Sequence, residues 1–226
     1  MTVRMNAVSL RLGDVDVLRD VSVELTARTT AVIGENGSGK SSFARVVGGL
    51  VRHDTGTVSV LGLGVDRHSS ELRRRTAMVF SNPDAQILMP TVEEDVAFSL
   101  RGDKSPAEEA REKVAAALSR FGLTPLADRP AHDLSGGQKQ LLALCGALVR
   151  RPDLVIADEP TAYLDARNAA RIADHLFGGT HRLLLVTHDL ALAERCDEAV
   201  LFVDGQVAGV GDSRSVVSEY QASLRC

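Results

Sequence analysis

Residues 29–47 read TTAVIGENGSGKSSFARVV, an apolar run that breaks into a glycine-rich loop and resumes with helical spacing. From Gly34 to Ser41 the loop satisfies G-x-x-x-x-G-K-[ST], and that pattern has chemical meaning only between a strand and a helix. Both neighbours are of the required kind. Glycines let successive backbone N–H groups turn toward one anion, and the N-terminus of the following helix adds about half a unit of positive charge behind them. Gly34, Glu35, Asn36, Gly37, Ser38, Gly39, Lys40, Ser41 and Ser42 are therefore the candidate phosphate-binding residues. The guest expected is ATP with Mg²⁺: Lys40 is placed to reach the β- and γ-phosphates, and the Ser41 hydroxyl to ligate the metal. A glycine-rich turn with an exposed lysine is the plainer alternative, and the flanking strand and helix argue against it.

The rest of the chain supplies a sheet for such a loop. Thr2 to Leu12 and Val15 to Leu25 alternate apolar and polar residues around Gly13 and Asp14, the pattern of an antiparallel hairpin. TGTVSVLGLGV returns to alternation, RRRTAMVF reads as a buried strand after a basic stretch, and FARVVGGLV as helix. Ser105 is expected to cap a helix with Pro106 at its first position and Gly122 at its end. After SGGQ, LLALCGALV continues as helix, and DLVIAD and RLLLVTH read as buried strands. AVLFVDGQVAGVG is a hairpin on Asp204-Gly205, and the last residues suit one short helix. The expected fold class is α/β, a phosphate-loop NTPase core with a small antiparallel β subdomain and an α-helical subdomain. One domain spans 1–226, with 1–81 and 150–226 forming the core and its β layer and 82–149 the helical subdomain.

Two further segments carry chemistry. DLVIADE ends an apolar strand in Asp158 and Glu159, at the strand tip where parallel α/β sheets place their ligands. Alone, two acids at a strand end are usually a solvated terminus. Beside a phosphate loop they can divide the work, Asp158 holding Mg²⁺ through its water shell and Glu159 polarising the attacking water as general base. DLSGGQKQ, residues 133–140, offers the Ser135 hydroxyl and the close-approach amides of Gly136 and Gly137 at a helix start, a second surface suited to phosphate. One ATP has no use for two such surfaces in one chain.

These segments, in this order and with AYLD ending in Asp165 and LLLVTHD containing His188, resemble the ATP-binding cassette proteins over nearly the whole length. The resemblance implies a head-to-tail dimer, in which Ser135, Gly136 and Gly137 of one protomer close over the γ-phosphate held by the loop of the other. It further implies that His188 contacts the γ-phosphate and that Asp165 lies at the dimer seam. Two departures stand out. The family often has an aromatic residue that stacks on adenine near the position of Leu12, and none is present here. Ser81 replaces the family's glutamine after VF, so that its contact with Mg²⁺ would run through water. NPDAQ followed by MPTVEEDVAFSL is similar to the ATPase subunits of energy-coupling factor importers of vitamins and metals. FARVVGGLV, ADRPAHDLSGGQKQLLAL and VTHDL are most similar to the ATPases of biotin importers.

Composition narrows the partners. The N-terminus lacks a continuous apolar stretch, so any membrane role is expected to run through a partner. By the resemblance those partners are a second ABC ATPase protomer (a homodimer or a close paralogue), a transmembrane coupling subunit and a substrate-binding membrane subunit. The location expected is peripheral, on the cytoplasmic face of the membrane. Three cysteines, Cys145, Cys196 and Cys226, without C-x-x-C spacing, fit a reducing compartment. A net charge of −4 disfavours nucleic acid as a partner. The alternatives are the ATPase of a different importer and a DNA-maintenance ATPase, although the latter would need a long coiled-coil insertion between phosphate loop and SGGQ, which is absent, and basic surfaces, which the net charge disfavours. A small-molecule kinase would have no use for the SGGQ segment.

Overall fold

The computed structural model describes residues 3–102 and 105–224. Thr2 and Cys226, both used above, lie outside the described residues. In chain order the elements are β1 (Val3–Leu12), β2 (Val15–Leu25), β3 (Thr29–Gly34), α1 (Lys40–Val47), β4 (Thr55–Val60), β5 (Leu63–Gly64), α2 (Ser69–Arg75) and β6 (Thr76–Val79). Three helices follow, α3 (Val92–Ser99), α4 (Ala107–Phe121) and α5 (Gly136–Leu148). The chain closes with β7 (Leu154–Asp158), α6 (Ala166–Phe177), β8 (Arg182–Val186), α7 (Leu190–Ala193), β9 (Glu198–Val203), β10 (Gln206–Asp212) and α8 (Ser213–Ser223). They form two compact units: Met1–Met78 with Asp153–Glu159 and Thr180–Cys226, and Val79–Pro152 with Pro160–Gly179. Among the described residues no helix is long and apolar enough to cross a membrane.

The first unit is built on two sheets. One is antiparallel, in the order β2-β1-β4-β5, and the other runs β10-β9-β3-β8-β7-β6. β3 lies between β8 and β9 and is parallel to both, and β7 is parallel to β8. Strands covered on both faces read as continuous apolar runs rather than alternations, which is why every residue of β3 and β7 is buried. Between the sheets α1 buries Phe43, Ala44, Val46 and Val47. The Phe43 ring meets that of Phe202 on β9 at 5.0 Å between centroids, tilted by 50°.

In the second unit α5 is central. It buries Leu141, Leu142, Leu144, Cys145 and Leu148 along almost its whole circumference, and α3, α4 and α6 pack on it. α3 starts with a reciprocal capping box between Thr91 and Glu94. Burial drives the Cys145 thiol, and in the first unit the Cys196 thiol, up to about 12, so both are protonated small hydrophobes.

Three local expectations need correction. α1 stops at Val47 instead of running through Val51, because Gly48 caps it and Gly49 turns to φ +67°, a left-handed conformation that ends helices. Ser105 does not cap α4. The cap position is Pro106, without a side-chain bond, and the Ser105 hydroxyl donates to Glu109 at 3.2 Å and accepts from Lys113 Nζ at 2.6 Å, inside the Glu109–Lys113 ion pair. In RRRTAMVF the arginines close the last turn of α2, where the helix dipole favours cations, and the strand does follow them as β6, but it is not a buried strand: it is the edge strand of its sheet, and only Val79 is buried while Thr76, Ala77 and Met78 are half-buried.

Phe43→Ala removes a fully buried ring at the seam of the two sheets and should cost about 3–5 kcal/mol of stability. Urea denaturation of the variant checks this, and a loss below about 1 kcal/mol would show that the seam can collapse around the gap.

Candidate nucleotide-binding site

At the C-terminal end of β3 the chain turns through Glu35–Gly39 into α1, and a cleft of about 330 Å³ opens there, lined by Val17, Asn36, Gly37, Lys40, Ser42 and Glu159 among others. Its size lies in the range of small-molecule clefts, about 300–1,000 Å³. Gly39 caps α1 at φ +101°, and a Cβ there would stand 2.6 Å from the Val17 carbonyl oxygen. Any larger residue would push the loop away from β2. The Lys40 ammonium folds over the loop and donates to the carbonyls of Gly34 at 2.8 Å and Glu35 at 2.6 Å. Burial lowers its pKa below the usual lysine range, against the opposing pull of Glu159, Asp158 and Glu35. A polyanion entering the cleft would draw that pKa back up.

Two sequence-distant segments come together at the loop. The Ser41 hydroxyl donates to Asp158 Oδ1 at 2.9 Å, so the first turn of α1 and the tip of β7 share one point. Glu159 follows with φ +52°, uncommon for a side chain of this size, and its amide donates to the Val186 carbonyl of β8 at 2.9 Å. Its carboxylate lies 2.8 Å from Nδ1 of His188, which stands past the end of β8. The Glu159 side chain is 19% exposed and that of His188 is 68% exposed, so the pair reaches from the cleft wall into solvent. Ser38 is buried, and among the described residues its hydroxyl has no hydrogen-bond partner.

The second unit holds the remaining candidates. Ser135 accepts from the Gln138 amide and Gln138 reaches back to the Ser135 amide, a capping box at the start of α5. The two glycines that follow differ. A Cβ on Gly137 would lie 2.5 Å from the Asn168 side chain, whereas one on Gly136 would meet nothing within 4 Å. Asn168 is in turn held by Asp165, which caps α6 and accepts from the Asn168 amide at 2.9 Å and from its side chain at 2.7 Å. The Asn168 amide holds the exposed Asp165 carboxyl below the usual carboxylate range. Ser81 follows Phe80, whose amide donates to Gln86 at 2.7 Å and whose carbonyl accepts from the buried Gln140 of α5 at 3.0 Å. Leu12, at the end of β1, is an exposed aliphatic side chain. Val17, Gln140 and Asn168 were not singled out from sequence. They act through close approach or through backbone atoms, and no motif signals either.

A phosphate loop after a strand held between parallel neighbours, a carboxylate pair at the tip of β7 in the same sheet and an SGGQ helix start in a helical unit together define a nucleotide-hydrolysing cassette. The chain belongs to the ABC transporter family, which matches residues 18–162, and it is an ATP-binding ATPase of that family. It is 33% identical over 98% of both chains to the biotin transport ATP-binding protein BioM of Rhizobium etli. It is 36% identical to the energy-coupling factor transporter ATP-binding protein EcfA1 of Lacticaseibacillus paracasei, covering 92% of this chain and 77% of that one. Among solved structures, CbiO1 of Clostridium perfringens, described as part of the ABC transporter complex CbiONQ, superposes with a TM-score of 0.85 at 29% identity, over 99% of this chain and 93% of the other.

Gly137→Ala should displace Asn168 and destabilise the protein by about 1–3 kcal/mol, while Gly136→Ala should stay within about 0.5 kcal/mol of the parent. Thermal melts of the two variants side by side check the contrast. Equal shifts would mean that Asn168 yields without cost.

Proposed function

We propose that this chain is the ATP-hydrolysing motor of an energy-coupling-factor-type importer, with biotin as the cargo. The observation that carries the motor is the joint contact of Ser41 with Asp158 and of Glu159 with His188 around one phosphate loop. In this reading the loop amides between Asn36 and Ser42, other than that of Ser38, which donates to the Glu35 carbonyl at 3.2 Å, grip the β- and γ-phosphates together with the Lys40 ammonium. Among the described residues no cluster of three or more His, Cys, Asp or Glu side chains could hold a metal. Mg²⁺, which keeps several waters and takes one or two protein oxygens plus phosphate, fits the single hydroxyl and single carboxylate that Ser41 and Asp158 offer. Bound there, it would neutralise charge on the phosphates. Glu159 accepts the proton of the attacking water, and His188, bonded to its carboxylate, orients Glu159 and faces the γ-phosphate.

Ser135, Gly136 and Gly137 complete the site of a second protomer, either a copy or a close paralogue. The open space at the Gly136 Cβ position suits the approach of an outside phosphate, and Asp165 would lie at the seam. Closure on ATP and opening after hydrolysis would then be passed to a transmembrane coupling subunit and a substrate-binding membrane subunit, with the ATPase peripheral on the cytoplasmic face. A cleft of about 310 Å³ lined by Asp84, Leu88, Met89, Pro90, Ala131 and His132 supports a docking role for the segment after Ser81. Its backbone is held by the buried Asp95 carboxylate, which accepts from the amides of Leu88 and Met89 at 2.7 and 3.0 Å. Likeness to EcfA1 and CbiO1 supports the importer type, and likeness to BioM supports biotin.

Lys40→Ala and Asp158→Asn should each lower ATP turnover by about a thousandfold or more, since both groups meet charge that develops on the phosphates. Glu159→Gln should keep ATP affinity and accumulate a closed dimer, seen by gel filtration with MgATP. Turnover near the parent rate in either of the first two, or only monomer in the third, counts against these roles. For the cargo, uptake of labelled biotin by cells carrying Lys40→Ala should fall to background, and unchanged uptake would assign the motor to another solute.

A further inference from the structure

A chain of backbone contacts in the first unit ties β2 to the phosphate loop through the turn between β9 and β10. The Asp204-Gly205 turn has φ +48° and +76°, and the Gly205 amide donates to the Ser38 carbonyl at 3.0 Å. On its other side the Gly205 carbonyl accepts from the Arg19 amide at 2.8 Å. The Arg19 guanidinium adds two donors to the same turn: Nε reaches the Asp204 carbonyl at 2.8 Å, and Nη2 bonds that oxygen too. The packing admits no slack, because the Val17 carbonyl stands 2.6 Å from where a Cβ on Gly39 would be and 2.9 Å from one on Gly205. Ser38, at the end of this chain of contacts, carries the buried hydroxyl that has no hydrogen-bond partner among the described residues.

We infer that Arg19 is a positioning residue for nucleotide binding: it clamps the Asp204-Gly205 turn, and the turn holds the phosphate loop at Ser38 in the form that receives phosphate. The inference rests on reading Gly34–Ser42 as the phosphate-binding loop. Arg19 touches no nucleotide in this scheme. Its effect is preorganisation, which lowers the ordering cost that binding would otherwise have to meet. A side chain whose neighbours Leu18 and Val21 carry the core contacts, and which is itself exposed, has no packing reason to be tied to a carbonyl 185 residues away. A guanidinium is suited to it, since its planar fork can present two N–H groups to one acceptor.

Arg19→Met keeps the stem and deletes the donors, so the fold should survive. Its KM for ATP and its Kd for ADP should rise about three- to tenfold with kcat within about twofold, because bound phosphate still orders the loop once it arrives. A merely structural role would move other quantities, since loss of folded protein lowers apparent kcat and leaves KM unchanged. Arg19→Lys, which can still offer a charged donor to the Asp204 carbonyl, should recover part of the affinity. Gly205→Ala, which strains the turn from the other side, should raise KM in the same direction. Unchanged KM and Kd in Arg19→Met overturn the inference, as does a fall in kcat at constant KM, or an Arg19→Lys variant no better than Arg19→Met. Lys40→Ala serves as reference: if it still binds nucleotide like the parent, the loop assignment itself fails. If it has lost binding while Arg19→Met has not, only the clamp is wrong.

Discussion

Backbone amides can bind phosphate only if they are left unpaired by the fold and yet held still. The first unit resolves this by ending β3, a strand bonded on both sides to parallel neighbours, in a loop that leads straight into α1. Strand and helix fix the two ends of the loop, and α1 is itself pinned by Phe43 and its neighbours between the two sheets. The parallel arrangement then brings the tips of β7 and β8 to the same edge, which is how Asp158, Glu159 and His188, far apart in the chain, come to lie beside Ser41. A hinge at any of these joints would cost the loop its preorganisation.

The second unit follows a different logic. Its candidate functional groups are helix caps and the residues that brace them: Ser135 with Gln138, Asp165 with Asn168, and Asn168 against Gly137. A cap leaves the first amides of its helix pointing outward, so the stability of α5 and its capacity to meet an anion come from the same residues. The buried Gln140, one turn further on, takes the Phe80 carbonyl and so ties the segment leading to Ser81 to the same helix. Asp84, in the segment that follows, is paired with Lys139 of α5 at 2.7 Å.

Much of this was legible in the chain because the relevant rules are local. G-x-x-x-x-G-K-S between an apolar run and a helical pattern specifies strand, loop and helix, and alternation from Val3 to Leu25 specifies a hairpin whose turn is Gly13 and Asp14. The Asp204-Gly205 hairpin and the Gly122 helix end follow from the positive φ such residues accept. Less legible were the elements with short or mixed patterns. α2 hides in a run of arginines, α3 is announced only by Thr91 and Glu94, and α6 only by its cap at Asp165. Ser105 misled because a hydroxyl before Pro106 looks like a cap, while the longer reach of Lys113 claimed it.

The sequence by itself determined the chemistry available: the phosphate loop, the acid pair at the end of a buried strand, the glycine-rich helix start and the serine at position 81, each a statement about consecutive residues. Only the tertiary structure decided which distant atoms meet. That Ser41 shares a point with Asp158, that Glu159 takes a left-handed backbone to reach His188, that Gly137 is glycine because of Asn168, and that Arg19 holds the turn beneath Ser38 are all close approaches between elements. Contacts of this kind are set by how sheets and helices pack, at separations where a single methyl group decides the fit, and nothing in the order of residues along the chain encodes a distance between two strands.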